Sequence, residues 1–104
     1  MRAGDVHRCD FGVPARGEPG FIRPVIVITS DDVLDYRQFA VAVVPCTTNR
    51  RGWQTEVAVG DFGVAQAHLV TTVSVDRLVE STNENVGPVA LGQIRELIAD
   101  LLEL

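Results

Sequence analysis

All nine basic residues of this 104-residue chain are arginines. The guanidinium is permanently charged and forked, which suits a phosphate group. Two of them, Arg50 and Arg51, stand beside Trp53 in a polar connector that opens with Thr47, Thr48 and Asn49. Two cations that can follow a phosphate backbone and an indole that can stack on a base are the ingredients of contact with a single nucleic-acid strand. Clustered charges are commonly solvated surface, and a single Trp is commonly core, so the connector alone leaves both uses open. Arg16 is a further loop cation. Arg23 precedes Pro24, which keeps its backbone extended; its side chain suits either a phosphate or plain solvent at a strand edge. His68 belongs to a chemical class that exchanges protons near neutral pH, although a lone His within a strand is more commonly structural. His7 reads as surface or as a stacking group. Cys9 and Cys46 have no Cys or His at metal-ligand spacing and read as small buried hydrophobes.

The net charge of −5 argues at first against a polyanionic partner, since phosphate binding usually leaves a basic footprint. Its distribution is uneven. Residues 1–52 carry seven Arg against six acids, a balance of +1, whereas residues 53–104 carry two Arg against eight acids, a balance of −6. The cations therefore gather in the half that holds the early loops.

The positions of these groups follow from turn residues and apolar periodicity. The length suits one domain, residues 1–104, with a single core. No apolar run approaches the roughly 20 residues that cross a bilayer, and no apolar signal core follows the start, so the expected compartment is the cytoplasm. Residues 6–11 suit a short strand, and residues 12–20, with three Gly and two Pro, a long loop. The β-branched run from Arg23 to Thr29 suits a buried strand with Pro24 at its start. Ser30 before Asp31 and Asp32 suits a helix cap and one short turn through Tyr36. Strands are expected over residues 39–45, 55–59 and 64–73, the last containing His68, with a turn at 60–63. A helical turn capped by Ser74 and a last edge strand over 83–89 follow. Leu91, Ile94, Leu97, Ile98, Leu101 and Leu102 form one apolar stripe at helical spacing. Five to seven short strands with one terminal amphipathic helix give a mainly β fold, a strongly bent sheet or small barrel.

At Arg23-Pro24-Val25 the chain resembles the MazF/PemK toxin family. Gly4-Asp5-Val6 matches the family's opening strand, Gly17-Glu18-Pro19-Gly20 its following loop, and Pro45-Cys46-Thr47-Thr48 its Pro-x-Thr-Ser/Thr strand end. Arg50-Arg51-Gly52 before Thr55-Glu56-Val57 matches the next hairpin, and Val73-Ser74-Val75-Asp76-Arg77-Leu78 a Thr-Ile-Asp-x-x-Arg-Leu stretch. The resemblance runs in order along nearly the whole chain. It implies an SH3-like barrel, a homodimer, a cognate antitoxin as partner, and cleavage of single-stranded RNA without metal or cofactor. In that chemistry the 2′-hydroxyl attacks its own phosphate and leaves a cyclic phosphate and a 5′-hydroxyl.

By the same resemblance, Arg23 holds the catalytic arginine's place and Thr47 that of a threonine that donates to the phosphorane. Glu18 stands where an acid or a nearby His orients the reacting groups. On their own chemistry, Arg16, Arg50 and Arg51 are loop cations suited to the RNA backbone, Trp53 is suited to stacking on a base, and Thr48 in the same connector is a further RNA-contact candidate. The chain departs from the pattern at His68-Leu69, where many members carry an acid followed by Gln; His68 would then serve as the base. Two other readings compete: a non-enzymatic toxin on the same fold, like the CcdB proteins that poison DNA gyrase, and a weakened member that only binds RNA or antitoxin.

Overall fold

The computed structural model describes residues 1–13, 21–36 and 39–104. Strands β1 (Asp5–Asp10), β2 (Ile22–Val27) and β3 (Ala40–Thr47) form the centre of an antiparallel sheet. Around them lie β4 (Glu56–Ala58), β5 (Val64–Gln66), β6 (Thr71–Ser74) and β7 (Leu78–Asn85). The strand order is β4-β5-β3-β2-β1-β7, with β6 also on β3. The sheet is bent but not closed among the described residues, since no pairing joins β4 to β7.

The run from Val25 to Val27 is apolar throughout because both of its faces are covered. Ile26 joins Val6, Val44, Cys46, Val57, Ala65 and Ile94 on one face, and Val25 and Val27 join Cys9, Val41, Val43 and Val73 on the other. Both cysteines are free and buried, and burial pushes their thiols up, to about 11 for Cys9 and about 12 for Cys46. They are packing groups, as expected. Helix α1 (Asp31–Leu34) begins at Ser30, whose hydroxyl accepts the Val33 N–H.

Helix α2 (Gly87–Leu101) covers the first face with buried Leu91 and Ile94, and Leu97 and Ile98 pack alongside. Pro88 sits in its first turn, where a missing N–H costs nothing. The Arg95 guanidinium donates to the Ile28 carbonyl at 2.9 Å and pins the helix to the end of β2. No helix is long and apolar enough to cross a membrane among the described residues.

Three expectations need correction. The expected strand over 64–73 is two strands separated by a 3-10 turn, Ala67–Leu69, so His68 lies in a turn. Both strands pair with the same edge of β3, Ala65 opposite Cys46 and Thr71 opposite Val43. Six positions along one chain meet three along the other, and the surplus three residues are extruded as the turn. The last strand is β7, which starts five residues before the expected 83–89 span and shares only Asn83, Glu84 and Asn85 with it, and the chain turns helical from Gly87. The apolar stripe of α2 also ends early, since Leu101 and Leu102 are exposed.

Candidate active site

Strand pairing alone brings Arg23 and Thr47 together. β2 and β3 are in register through Val25 with Pro45 and Val27 with Val43. Two further residues along each strand, on the same side of the pleat, are Arg23 and Thr47. Both line an open depression of about 490 Å³, together with Arg8, Phe21, Ile22, Pro24, Cys46, Thr48, Asp61 and Phe62. The Arg23 guanidinium makes no hydrogen bond or ion pair among the described residues, and its charge reaches the Cys46 thiol, opposing the upward push of burial there. A half-buried cation at a concave surface, with no partner among the described residues, suits an anion.

Thr47 is held by two devices. Its Oγ1 accepts the Asn49 N–H at 3.1 Å, the short turn that Thr side chains form with the backbone two residues on. That bond uses a lone pair and leaves the hydroxyl proton to donate. Gly63 supports the backbone beneath it. At φ +85°, a Cβ on Gly63 would lie 2.8 Å from the Thr48 Cα and would run into the Thr47 carbonyl. Only glycine allows this approach. Val64 then pairs with Thr47 across β5 and β3.

The connector forms a second, separate cluster. The Glu56 carboxylate accepts the backbone N–H groups of Arg51, Gly52 and Trp53, at 2.8 Å for Gly52. Burial pushes the Glu56 carboxyl up, but those three donors and the nearby His68 ring outweigh it and hold it below its ordinary value. The Arg51 guanidinium lies 5.3 Å from the centre of the half-exposed Trp53 ring. His68 meets that ring edge-on at 5.1 Å, and its Nδ1 is 2.8 Å from the Thr55 hydroxyl. His68 is thus part of the Trp53 cluster and not of the wall around Arg23 and Thr47. Arg50 is exposed, and Thr48 lines the depression, at the junction between the two. Glu18 and Arg16 lie outside the described residues.

A carboxylate with a depressed folded-state value stabilises the loop fully above the ordinary value, and this is lost as pH falls through the depressed one. Trp53 is the sole tryptophan, so its fluorescence reports the connector. Acidification below the ordinary carboxylate range is expected to shift Trp53 emission, and Glu56→Gln is expected to show the acid-like spectrum already at pH 7. An unchanged spectrum for Glu56→Gln would show that the carboxylate does not order the loop.

Arg8, Phe21, Asp61 and Phe62 were not singled out by the sequence. Arg8 is one cation among nine, and Gly60-Asp61-Phe62-Gly63 reads only as a turn. Phe21 adopts φ 60° and is exposed at the rim, an unusual backbone state for an aromatic residue that no sequence pattern announces.

Against known proteins, the model of the PemK-like, MazF-like toxin of type II toxin-antitoxin systems matches residues 2–102. MazF from Deinococcus radiodurans superposes with a TM-score of 0.87 at 21% identity, over 100% of this chain and 97% of that one. An endoribonuclease in complex with its cognate antitoxin, from a mycobacterial species, superposes with a TM-score of 0.81 at 26% identity, over 100% and 96%. Mycobacterium tuberculosis toxin MazF-mt6 does so with a TM-score of 0.72 at 24% identity, over 96% and 97%. No curated protein matches. With the family model spanning almost every residue and the same fold in each of these structures, the chain belongs to the PemK/MazF family of toxins of type II toxin–antitoxin systems.

Proposed function

We propose that this toxin is an endoribonuclease that cleaves single-stranded RNA through attack of a 2′-hydroxyl on the adjacent phosphate, with Arg23 and Thr47 as its catalytic residues. The observation that carries the reading is the convergence, on one open depression, of a guanidinium with no partner among the described residues and a hydroxyl held by the Asn49 N–H. In the pentacoordinate transition state the non-bridging oxygens gain negative charge, and donors fixed in advance at that position lower the barrier most. Arg23 supplies a forked, permanently charged donor, and Thr47 a hydroxyl whose direction is fixed by Asn49. The products are a cyclic phosphate and a 5′-hydroxyl. No cofactor enters this scheme.

Thr48, Arg50, Arg51 and Trp53 contact the RNA strand on either side of the scissile bond. The connector carries the strand from the depression to the Trp53 ring, where a splayed base stacks. His68 acts there by fixing the Trp53 ring. By the family resemblance, Glu18 orients the reacting groups, and Arg16 is a further cation for the RNA backbone. The protein works as a homodimer in the cytoplasm and is silenced by a cognate antitoxin, as its mycobacterial relative is bound by one.

The test is incubation of the purified protein with a long RNA in excess EDTA, followed by mapping of the new 5′ ends. Cuts at one repeated short sequence, each leaving a 5′-hydroxyl, are expected. Intact RNA, or cuts only when divalent metal is restored, would overturn the reading.

A further inference from the structure

Proton transfer from the 2′-hydroxyl needs a base, and His68, the sequence's candidate, is turned to Thr55 and Trp53. The wall of the Arg23–Thr47 depression holds a different group. Asp61 is the one carboxylate among its described lining residues, which also include Arg8 of β1, Arg23 of β2 and Thr47 of β3, and it borders a second depression with Val59, Glu84 and Val86. Its carboxylate makes no hydrogen bond or ion pair among the described residues.

The turn that carries Asp61 is firmly placed. Gly63 donates to the Gly60 carbonyl at 3.0 Å and accepts the Val59 N–H at 2.9 Å. Phe62 packs on the core face that holds Ile26 and Ile94. Gly63 itself lies against the Thr47–Thr48 backbone. The support of the Thr47 hydroxyl and the placement of Asp61 are therefore one piece of structure, four residues long.

Resting on the endoribonuclease reading, we infer that Asp61 is the general base of the reaction. Its carboxylate takes the proton of the 2′-hydroxyl as the 2′-oxygen forms its bond to phosphorus. The bond from phosphorus to the 5′-oxygen then breaks, and that oxygen takes a proton from solvent. Asp61 releases its proton to solvent and returns to its starting state, while Arg23 stays charged throughout.

The experiment compares wild type, Asp61→Asn, Asp61→Glu and Arg23→Ala by single-turnover cleavage of an oligoribonucleotide containing the mapped site. Binding is measured on the same oligonucleotide with a 2′-deoxy group at the cut. Asp61→Asn is expected to lower the cleavage rate by ~10²–10⁴-fold, the usual range for loss of a positioned base. Its affinity for the deoxy oligonucleotide is expected to stay within about threefold, and Asp61→Glu to recover part of the rate, as a loss confined to the transition state requires. Because Asp61 is exposed, its thermal unfolding is expected to match wild type. An Asp61→Asn protein that cuts nearly as fast as wild type, while Arg23→Ala does not cut, would overturn the role of Asp61 and leave the endoribonuclease reading standing. So would a loss seen only in affinity. Absence of cleavage by wild type would overturn both.

Discussion

Arg23→Ala is expected to bind RNA yet cleave it at least ~10²–10³-fold more slowly than wild type, the loss that follows removal of one preorganised donor to a developing oxyanion. The side chain makes no hydrogen bond or ion pair within the described protein, so its removal strands no partner. Unfolding is therefore expected to shift by no more than about 0.5 kcal/mol, as for other substitutions away from structural contacts. Arg23→Lys separates charge from shape: the ammonium keeps the charge but loses the fork. Partial recovery, well short of wild type, is the expected result. Single-turnover rates and thermal melts on the same preparations check both statements. An Arg23→Ala protein with a wild-type rate would show that the guanidinium does not meet the phosphorane.

Gly63→Ala carries the second large effect, and it reaches the site through the backbone. The added methyl meets main-chain atoms of Thr47 and Thr48 rather than the end of a flexible side chain, so those residues must move. An L-residue at φ +85° is strained as well, at a cost of order 1–3 kcal/mol. The melting temperature is expected to fall. At a temperature where the variant is still folded, its cleavage rate is expected to drop by ~10²-fold, the penalty for displacing a catalytic group by about an ångström. Affinity for RNA, which the proposal spreads over Arg50, Arg51 and Trp53, is expected to change much less. A second variant at the same turn, Gly60→Ala, adds a methyl into open space at φ +64° and is expected to lose stability without a matching loss of rate. Equal rates per folded molecule in Gly63→Ala and wild type would separate Gly63 from the placement of Thr47.

Much of this arrangement was legible in the sequence. The β-branched run after Pro24, the Ser30 cap and the helical stripe from Leu91 to Ile98 are local signals, and each names its element. Arg23 and Thr47 were legible as a pair only through the family resemblance; pairing of β2 with β3 supplies the physical reason for their proximity. The break at Ala67–Leu69 was not legible, because it arises from where two strands meet β3 and not from their own composition. β7 was misplaced because its polar sequence, Leu-Val-Glu-Ser-Thr-Asn-Glu-Asn, has no alternating apolar face. Asp61 was hidden for a related reason. A Gly-Asp-Phe-Gly turn has no catalytic signature, and only the contact of Gly63 with Thr47 brings it to the depression. His68, by contrast, drew notice by its chemistry, and its neighbours Thr55 and Trp53 give it a different setting.

The central claim is that the RNA supplies its own nucleophile and that Arg23 and Thr47 stabilise what forms. The most direct measurement is cleavage of two matched oligonucleotides, one all-ribose and one with a single 2′-deoxy group on the 5′ side of the mapped cut. The account predicts that both bind equally, that the first yields a cyclic phosphate and a 5′-hydroxyl, and that the second stays intact. Cleavage of the deoxy oligonucleotide at a comparable rate would mean that another nucleophile attacks the phosphate, and would contradict the account.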